Sequence, residues 1–226
     1  MRLAIVGYGR MGREVERLAR RAGFEIVCII RSREELERRL DIVNAEVAVE
    51  FTEPAAAVEN LIYLAQAGLD VVCGTTGWYD RLDEVREVVS RCDVGVVYAP
   101  NFSVGAFLMF RIVEWLGQHL TRLKAEVGVF EAHHSAKKDA PSGTAKRILK
   151  TLKKAGLKVD ESWLRVGGVV GWHFLLSDFG EETLELHHRV RSRAAFARGA
   201  LLAAQLIRGR KGLFPFEQIL QEFLNG

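Results

Sequence analysis

The segment RLAIVGYGRMGRE, residues 2–14, restricts the fold of this chain more than any other. Its apolar run at 2–7 has the length and composition of a buried strand. Gly7, Gly9 and Gly12 follow in G-x-G-x-x-G spacing, and Val15, Leu18 and Ala19 mark one face of a helix over 10–21. A strand that runs through three glycines into a helix opens a parallel βαβ unit. The first glycine permits the tight turn, the second lets backbone approach a pyrophosphate, and the third lets helix and strand pack closely. Free N–H groups and the helix dipole then favour phosphate. A glycine turn without a ligand is the simpler alternative, but the strand and helix around it favour dinucleotide binding.

Further strands are expected at 24–30, 45–51, 69–74 and 94–99, with helices at 54–67 and 80–91 between them. This alternation predicts a parallel sheet covered on both faces by right-handed crossovers. Its ligand crevice belongs beyond the carboxyl ends of the strands. About 20 residues past the glycines, an acid usually meets the ribose 2′-hydroxyl. Arg31 stands there instead, with Arg33 nearby. A guanidinium suits a 2′-phosphate, so NADPH is the expected cofactor ahead of NADH.

After about residue 103 the rhythm changes. A long apolar helix is expected at 104–120, a strand at 125–132, a helix at 143–155 and antiparallel-looking strands over 163–190. An apolar helix at 196–207, the loop RGRKGLFPF and a short helix close the chain. Trp163, Trp172 and Phe174 are expected in the sheet core. His187 and His188 alternate along a strand, so at most one of them faces a site.

With 226 residues, 49% hydrophobic and 27% charged, the chain can bury one large core or two smaller ones. A net charge of +3 makes no case for nucleic acid. Cys28, Cys73 and Cys92 lack Cys-x-x-Cys spacing, which argues for reduced thiols and against a zinc site. The chain opens on MRLAIVGYG without an apolar signal region, and no run is long enough to span a bilayer. A cytoplasmic protein with no membrane partner is expected.

The chemistry concentrates in EAHHSAKKDAPSGTAKR, residues 131–147. His133 and His134 follow a strand, Lys137 and Lys138 come next, and Ser142, Gly143 and Thr144 open a helix. Histidine offers a proton near neutral pH, lysine offers positive charge, and N–H groups at a helix start bind carboxylates. Together they suit an anionic substrate that must gain a proton. Metal is disfavoured here, because the histidines are adjacent and no Cys or carboxylate stands at ligand spacing.

GYGRMGRE, VEFTEP, GTTGW, APNFSVG, EAHHSAKKDAPSGTA and RVGGVVGWH, in that order, resemble the dihydrodipicolinate reductase family of lysine and diaminopimelate biosynthesis. The resemblance runs from Gly7 to the GLFPF loop. It implies a Rossmann-type parallel-sheet lobe (1–103 and 194–226) and an α+β substrate and oligomerisation lobe (104–193) with a mixed or antiparallel sheet. It implies hydride transfer from NADPH or NADH that reduces 4-hydroxy-tetrahydrodipicolinate to tetrahydrodipicolinate in a homotetramer. His133 matches the acid–base residue of the family motif and Lys137 its lysine, while His134, Ser142, Gly143 and Thr144 match the substrate contacts. Gly7, Tyr8, Gly9, Arg10, Met11, Gly12, Gly74, Thr75, Thr76, Ala99, Pro100, Asn101 and Phe102 match cofactor positions, the last four at a hinge. Arg165, Gly167, Gly171 and His173 keep an R-x-G-x-x-x-G-x-H pattern. Two departures stand out: Arg31 replaces an acid, and the chain is shorter than is common in the family. A cofactor-binding regulator would need neither His133 nor Lys137, and a reductase of another type leaves HHSAKKDAPSGTA unexplained.

Overall fold

The computed structural model describes residues 1–39 and 44–226. Two compact units emerge, one of Met1–Phe102 with Ala194–Gly226 and one of Ser103–Arg193.

The first unit is built on six parallel strands: β1 (Arg2–Val6), β2 (Glu25–Ile30), β3 (Val47–Glu50), β4 (Asp70–Cys73), β5 (Gly95–Tyr98) and β10 (Gly212–Pro215). Their order is β10-β5-β4-β3-β1-β2, a Rossmann-type sheet. The chain winds outwards both ways from β1, so the crevice expected at a topological switch point falls between the ends of β1 and β3. Ala4, Val6, Ala48, Val71, Cys73 and Val96 pack with α3 (Pro54–Gln66) and α4 (Leu82–Ser90). The alternate residues Leu3, Ile5, Val49, Val72 and Val97 are also fully buried. Burial on both faces explains why these strands read as unbroken apolar runs. Each such Val, Leu or Ile contributes roughly 1.5–3 kcal/mol. Val15, Leu18 and Ala19 of α1 (Arg10–Arg21) form its buried stripe. That helix packs on α7 (Ala194–Leu206), whose Ala197, Ala200, Ala203 and Ala204 are small enough for close approach.

In the second unit β6 (Glu126–His133) pairs in parallel with β7 (Val159–Arg165) and antiparallel with β8 (Gly171–Asp178), and β8 pairs antiparallel with β9 (Thr183–Val190). The sheet is therefore mixed. Helices α5 (Val104–Leu123) and α6 (Gly143–Lys154) cover one face through Met109, Val113, Leu120, Ile148 and Leu152 against Val127, Val129 and Leu175.

Three expectations need correction. The stretch taken as the loop RGRKGLFPF contains β10, an edge strand. Its Pro215 ends the strand, where a missing N–H costs no ladder bond. A short helix α2 (Arg33–Arg39) was not foreseen, because REELERR carries only one apolar residue. Trp163 is 47% exposed rather than in the core, while Trp172 and Phe174 are half-buried on the face opposite the helices. Alternation alone does not say which face of a sheet is covered.

Candidate active site

The glycine turn needs its three glycines for different reasons. Gly7 adopts φ +91°, and a Cβ there would lie 2.2 Å from the Phe51 carbonyl oxygen; at Gly12 it would lie 2.0 Å from the Gly7 oxygen. At Gly9 a Cβ would meet no protein atom within 4 Å. Packing thus demands glycine at 7 and 12, and leaves open space over Gly9. Gly9 is also the N-cap of α1, with no side-chain cap and no acid in the first turn. Such a helix start favours a bound anion.

A crevice of about 480 Å³ opens here, lined by Gly7, Tyr8, Gly9, Arg31, Ser32 and Asn60 among others. Arg31 lies over the Tyr8 ring, its Cζ 5.0 Å from the centroid. Arg33 is engaged by Glu37 at 2.8 Å and by Asn60 at 3.3 Å. A second cavity of about 210 Å³ is lined by Met11, Phe51, Gly74, Ala99, Pro100, Asn101 and Phe102, with Phe196. Phe51 lines both. Thr75 turns its hydroxyl inward to accept from Thr52 N at 2.8 Å, while Thr76 and Arg10 are exposed; none of the three lines either cavity. Glycine turn, helix start, Arg31 and apolar cavity fit a nicotinamide dinucleotide. Sequence reasoning missed Phe51 and Thr52, although VEFTEP at the end of β3 was their signal, and Asn60, which α3 supplies without a local signal.

In the second unit His133 ends β6, buried at 7% exposure, and Glu131, two residues earlier on the same strand face, is 1% exposed. Glu131 Oε1 accepts from Ser142 N at 2.9 Å and from Arg165 Nη2 at 2.7 Å. Its Oε2 lies 3.4 Å from His133 Nδ1 and 3.9 Å from His173 Nε2. This corrects the expectation that no carboxylate stands at ligand spacing, since residues i and i+2 of a strand share a face. The three side chains lie within 4.8 Å of one another, a grouping that could hold a metal ion. Arg165, however, already balances the charge of Glu131.

Burial opposes ionisation of Glu131, but the Ser142 and Arg165 hydrogen bonds outweigh it and hold the carboxyl below its ordinary value. Burial pushes the His133 imidazole down, and Glu131 partly restores it. Burial, with His133 and His188 adding, takes His173 down to about 3. His173 stacks on His188 with centroids 5.7 Å apart, and His188 Nε2 is 3.4 Å from Ser103 Oγ. His187 is exposed, as the strand alternation requires.

Ser142 is committed to the fold, with its Oγ accepting from Ala145 N at 3.2 Å and its N–H bound to Glu131. The Gly143 and Thr144 N–H groups carry no hydrogen bond among the described residues. His134 and Thr144 are half-buried and Gly143 is exposed. Lys137 Nζ is held by Asp139 at 2.7 Å. The structure thus brings His133, Glu131, Arg165, His173 and the start of α6 together, with Lys137 beside them.

Two family models match this chain, dihydrodipicolinate reductase N-terminus over residues 1–102 and its C-terminus over 105–220. A 4-hydroxy-tetrahydrodipicolinate reductase of Christiangramia forsetii is 30% identical over 98% of both chains. One from Methanocorpusculum labreanum is 36% identical over 83% of this chain and 80% of its own. Among solved structures, dipicolinate-bound dihydrodipicolinate reductase from Paenisporosarcina sp. TG-14 matches with a TM-score of 0.82 at 21% identity, covering 97% of this chain and 99% of that one. That likeness concerns the fold. The glycine turn, the two-unit architecture and these matches together assign the chain to the dihydrodipicolinate reductase family.

Proposed function

We propose that this protein reduces 4-hydroxy-tetrahydrodipicolinate, after loss of water, to tetrahydrodipicolinate with NADPH or NADH, in lysine and diaminopimelate biosynthesis. The observation that carries this reading is the buried His133, 3.4 Å from Glu131, whose other oxygen holds Ser142 N at 2.9 Å directly before the N–H groups of Gly143 and Thr144 that open α6. Those N–H groups receive one substrate carboxylate; His134 and the Lys137 ammonium bind and orient the remainder of the dianion. His133 then supplies the proton that completes reduction. Gly7, Tyr8, Gly9, Met11 and Arg31 hold the dinucleotide, with Gly74 and Ala99 to Phe102 at the apolar cavity. Bound nicotinamide supplies the hydride to C4 of the substrate ring. In a coupled assay with freshly made dihydrodipicolinate synthase product, NADPH oxidation is the expected result; oxidation of neither cofactor would refute the proposal.

Arg31 selects NADPH in this scheme. Arg31→Glu should shift the kcat/KM ratio toward NADH by roughly tenfold, the effect of losing one charge-assisted contact. An unchanged ratio returns Arg31 to a solvated surface charge.

For assembly, the supporting feature is the helix-free sheet face, which carries Phe130, Trp172, Phe174 and Leu176 half-buried and Leu164 at 47% exposure. Such an apolar face fits a homotetramer. Sedimentation should show four chains, and Phe174→Asp should lower the mass; a monomeric wild type refutes it. No described helix is long and apolar enough to cross a membrane. The sparse cysteines Cys73 and Cys92, which form no disulfide among the described residues, support placement in the cytoplasm.

A further inference from the structure

Two buried polar atoms at the centre of the second unit, Glu131 Oε2 and His133 Nδ1, have no hydrogen bond, yet lie 3.4 Å apart. A buried carboxylate oxygen and ring nitrogen without partners are costly. Glu131 cannot turn away, because its other oxygen is fixed by Ser142 N at 2.9 Å and Arg165 Nη2 at 2.7 Å. The opposite ring nitrogen, His133 Nε2, lies against Gly171, where a Cβ would stand 3.3 Å from it. A residue with no side chain therefore leaves that nitrogen uncovered. The ring has one edge toward a carboxylate and the other toward Gly171, which has no side chain to cover it.

We propose that Glu131 is the positioning residue of the proton donor: its Oε2 accepts the Nδ1 proton of His133, which fixes Nε2 as the atom that gives its proton up. This rests on the assignment of His133 as the acid. In the step, the Nε2–H bond breaks and a C–H bond forms on the substrate. The ring is left neutral with Nδ1–H still donated to Glu131, and no proton passes to the carboxylate.

The charges around His133 leave this task to Glu131. Arg165 of β7 and Lys137 of the following loop both disfavour the imidazolium, and His173 of β8 and His188 of β9 are neutral when buried. Asp139, the other nearby acid, is occupied by Lys137 at 2.7 Å. Burial itself lowers the imidazolium's stability, so a general acid here needs an anion in contact. Glu131 also ties the donor strand to Ser142, the N-cap of α6, and so sets donor and carboxylate cradle in one frame.

The sign of the pH effect follows. An acid must be protonated, so kcat falls as pH rises through the His133 pKa in the complex. Removing the carboxylate charge lowers that pKa and moves the falling limb to lower pH. The test is the pH profile of kcat at saturating cofactor for wild type, Glu131→Gln and Glu131→Asp. The Gln variant should show its limb about one pH unit lower, hence about tenfold less turnover on the alkaline side, with KM changing less than kcat. The Asp variant should recover part of the shift. A raised KM with an unmoved limb would show that Glu131 only braces Ser142, and would overturn the proposal. Imidazole nitrogen chemical shifts give an independent readout in the intact protein. Neutral wild-type His133 should carry its proton on Nδ1; a proton on Nε2 would overturn the proposal even if the Gln variant fails to fold. His133→Gln separates the two levels. If it keeps wild-type kcat, the acid assignment itself is wrong; if it loses kcat while the Glu131→Gln limb stands still, only the role of Glu131 falls.

Discussion

Replacing His133 by alanine lowers kcat by roughly 10²–10⁴-fold and leaves NADPH affinity unchanged. The expectation combines placement with chemistry. His133 is buried in the second unit at the end of β6, while the residues proposed for the cofactor belong to the first. Truncation therefore removes a proton donor without touching the glycine turn. Burial depresses the imidazole, so the histidine alone would be a poor acid at neutral pH; the carboxylate of Glu131 partly offsets that cost. Kd for NADPH by fluorescence titration and kcat by the coupled assay measure the two quantities separately. An equal loss in both would mean that His133 supports the fold rather than the reaction.

The second large effect separates residues that look equivalent in sequence. Gly9→Val should weaken NADPH binding by roughly 100-fold, about 2.7 kcal/mol, with no loss of thermal stability. Gly12→Ala should do the reverse first, lowering stability by about 1–3 kcal/mol because its Cβ runs into the Gly7 carbonyl. The asymmetry comes from what each Cβ would meet: open space at Gly9, backbone oxygen at 2.0 Å at Gly12. Thermal unfolding and cofactor titration of both variants check it. A destabilised Gly9→Val that still binds cofactor would contradict the division of roles.

Much of this was legible from periodicity and spacing. The inner parallel strands of the first unit, β1, β3, β4 and β5, are buried on both faces, which makes them continuous apolar runs, and the glycine turn between β1 and α1 announces itself by local chemistry. What stayed hidden depends on contacts remote in sequence. Glu131 and Arg165 are 34 residues apart and meet because β6 and β7 pair in register. His173 joins them from β8, which pairs with β6 in the opposite direction. Phe51 lines both cavities because β3 lies next to β1, an order the sequence does not state. Ser142 shows what position alone leaves out: besides standing at a helix start, its oxygen accepts from Ala145 N as the cap of α6 and its N–H binds Glu131. Trp163 was misplaced because an edge strand such as β7 leaves large side chains uncovered.

The most direct test follows the hydride. With NADPH deuterated at the transferred position and synthase product generated in ordinary water, mass and NMR analysis should find a single deuterium at C4 of tetrahydrodipicolinate. His133→Ala should form the same labelled product far more slowly. No product from either cofactor, or product without deuterium, would contradict the assignment.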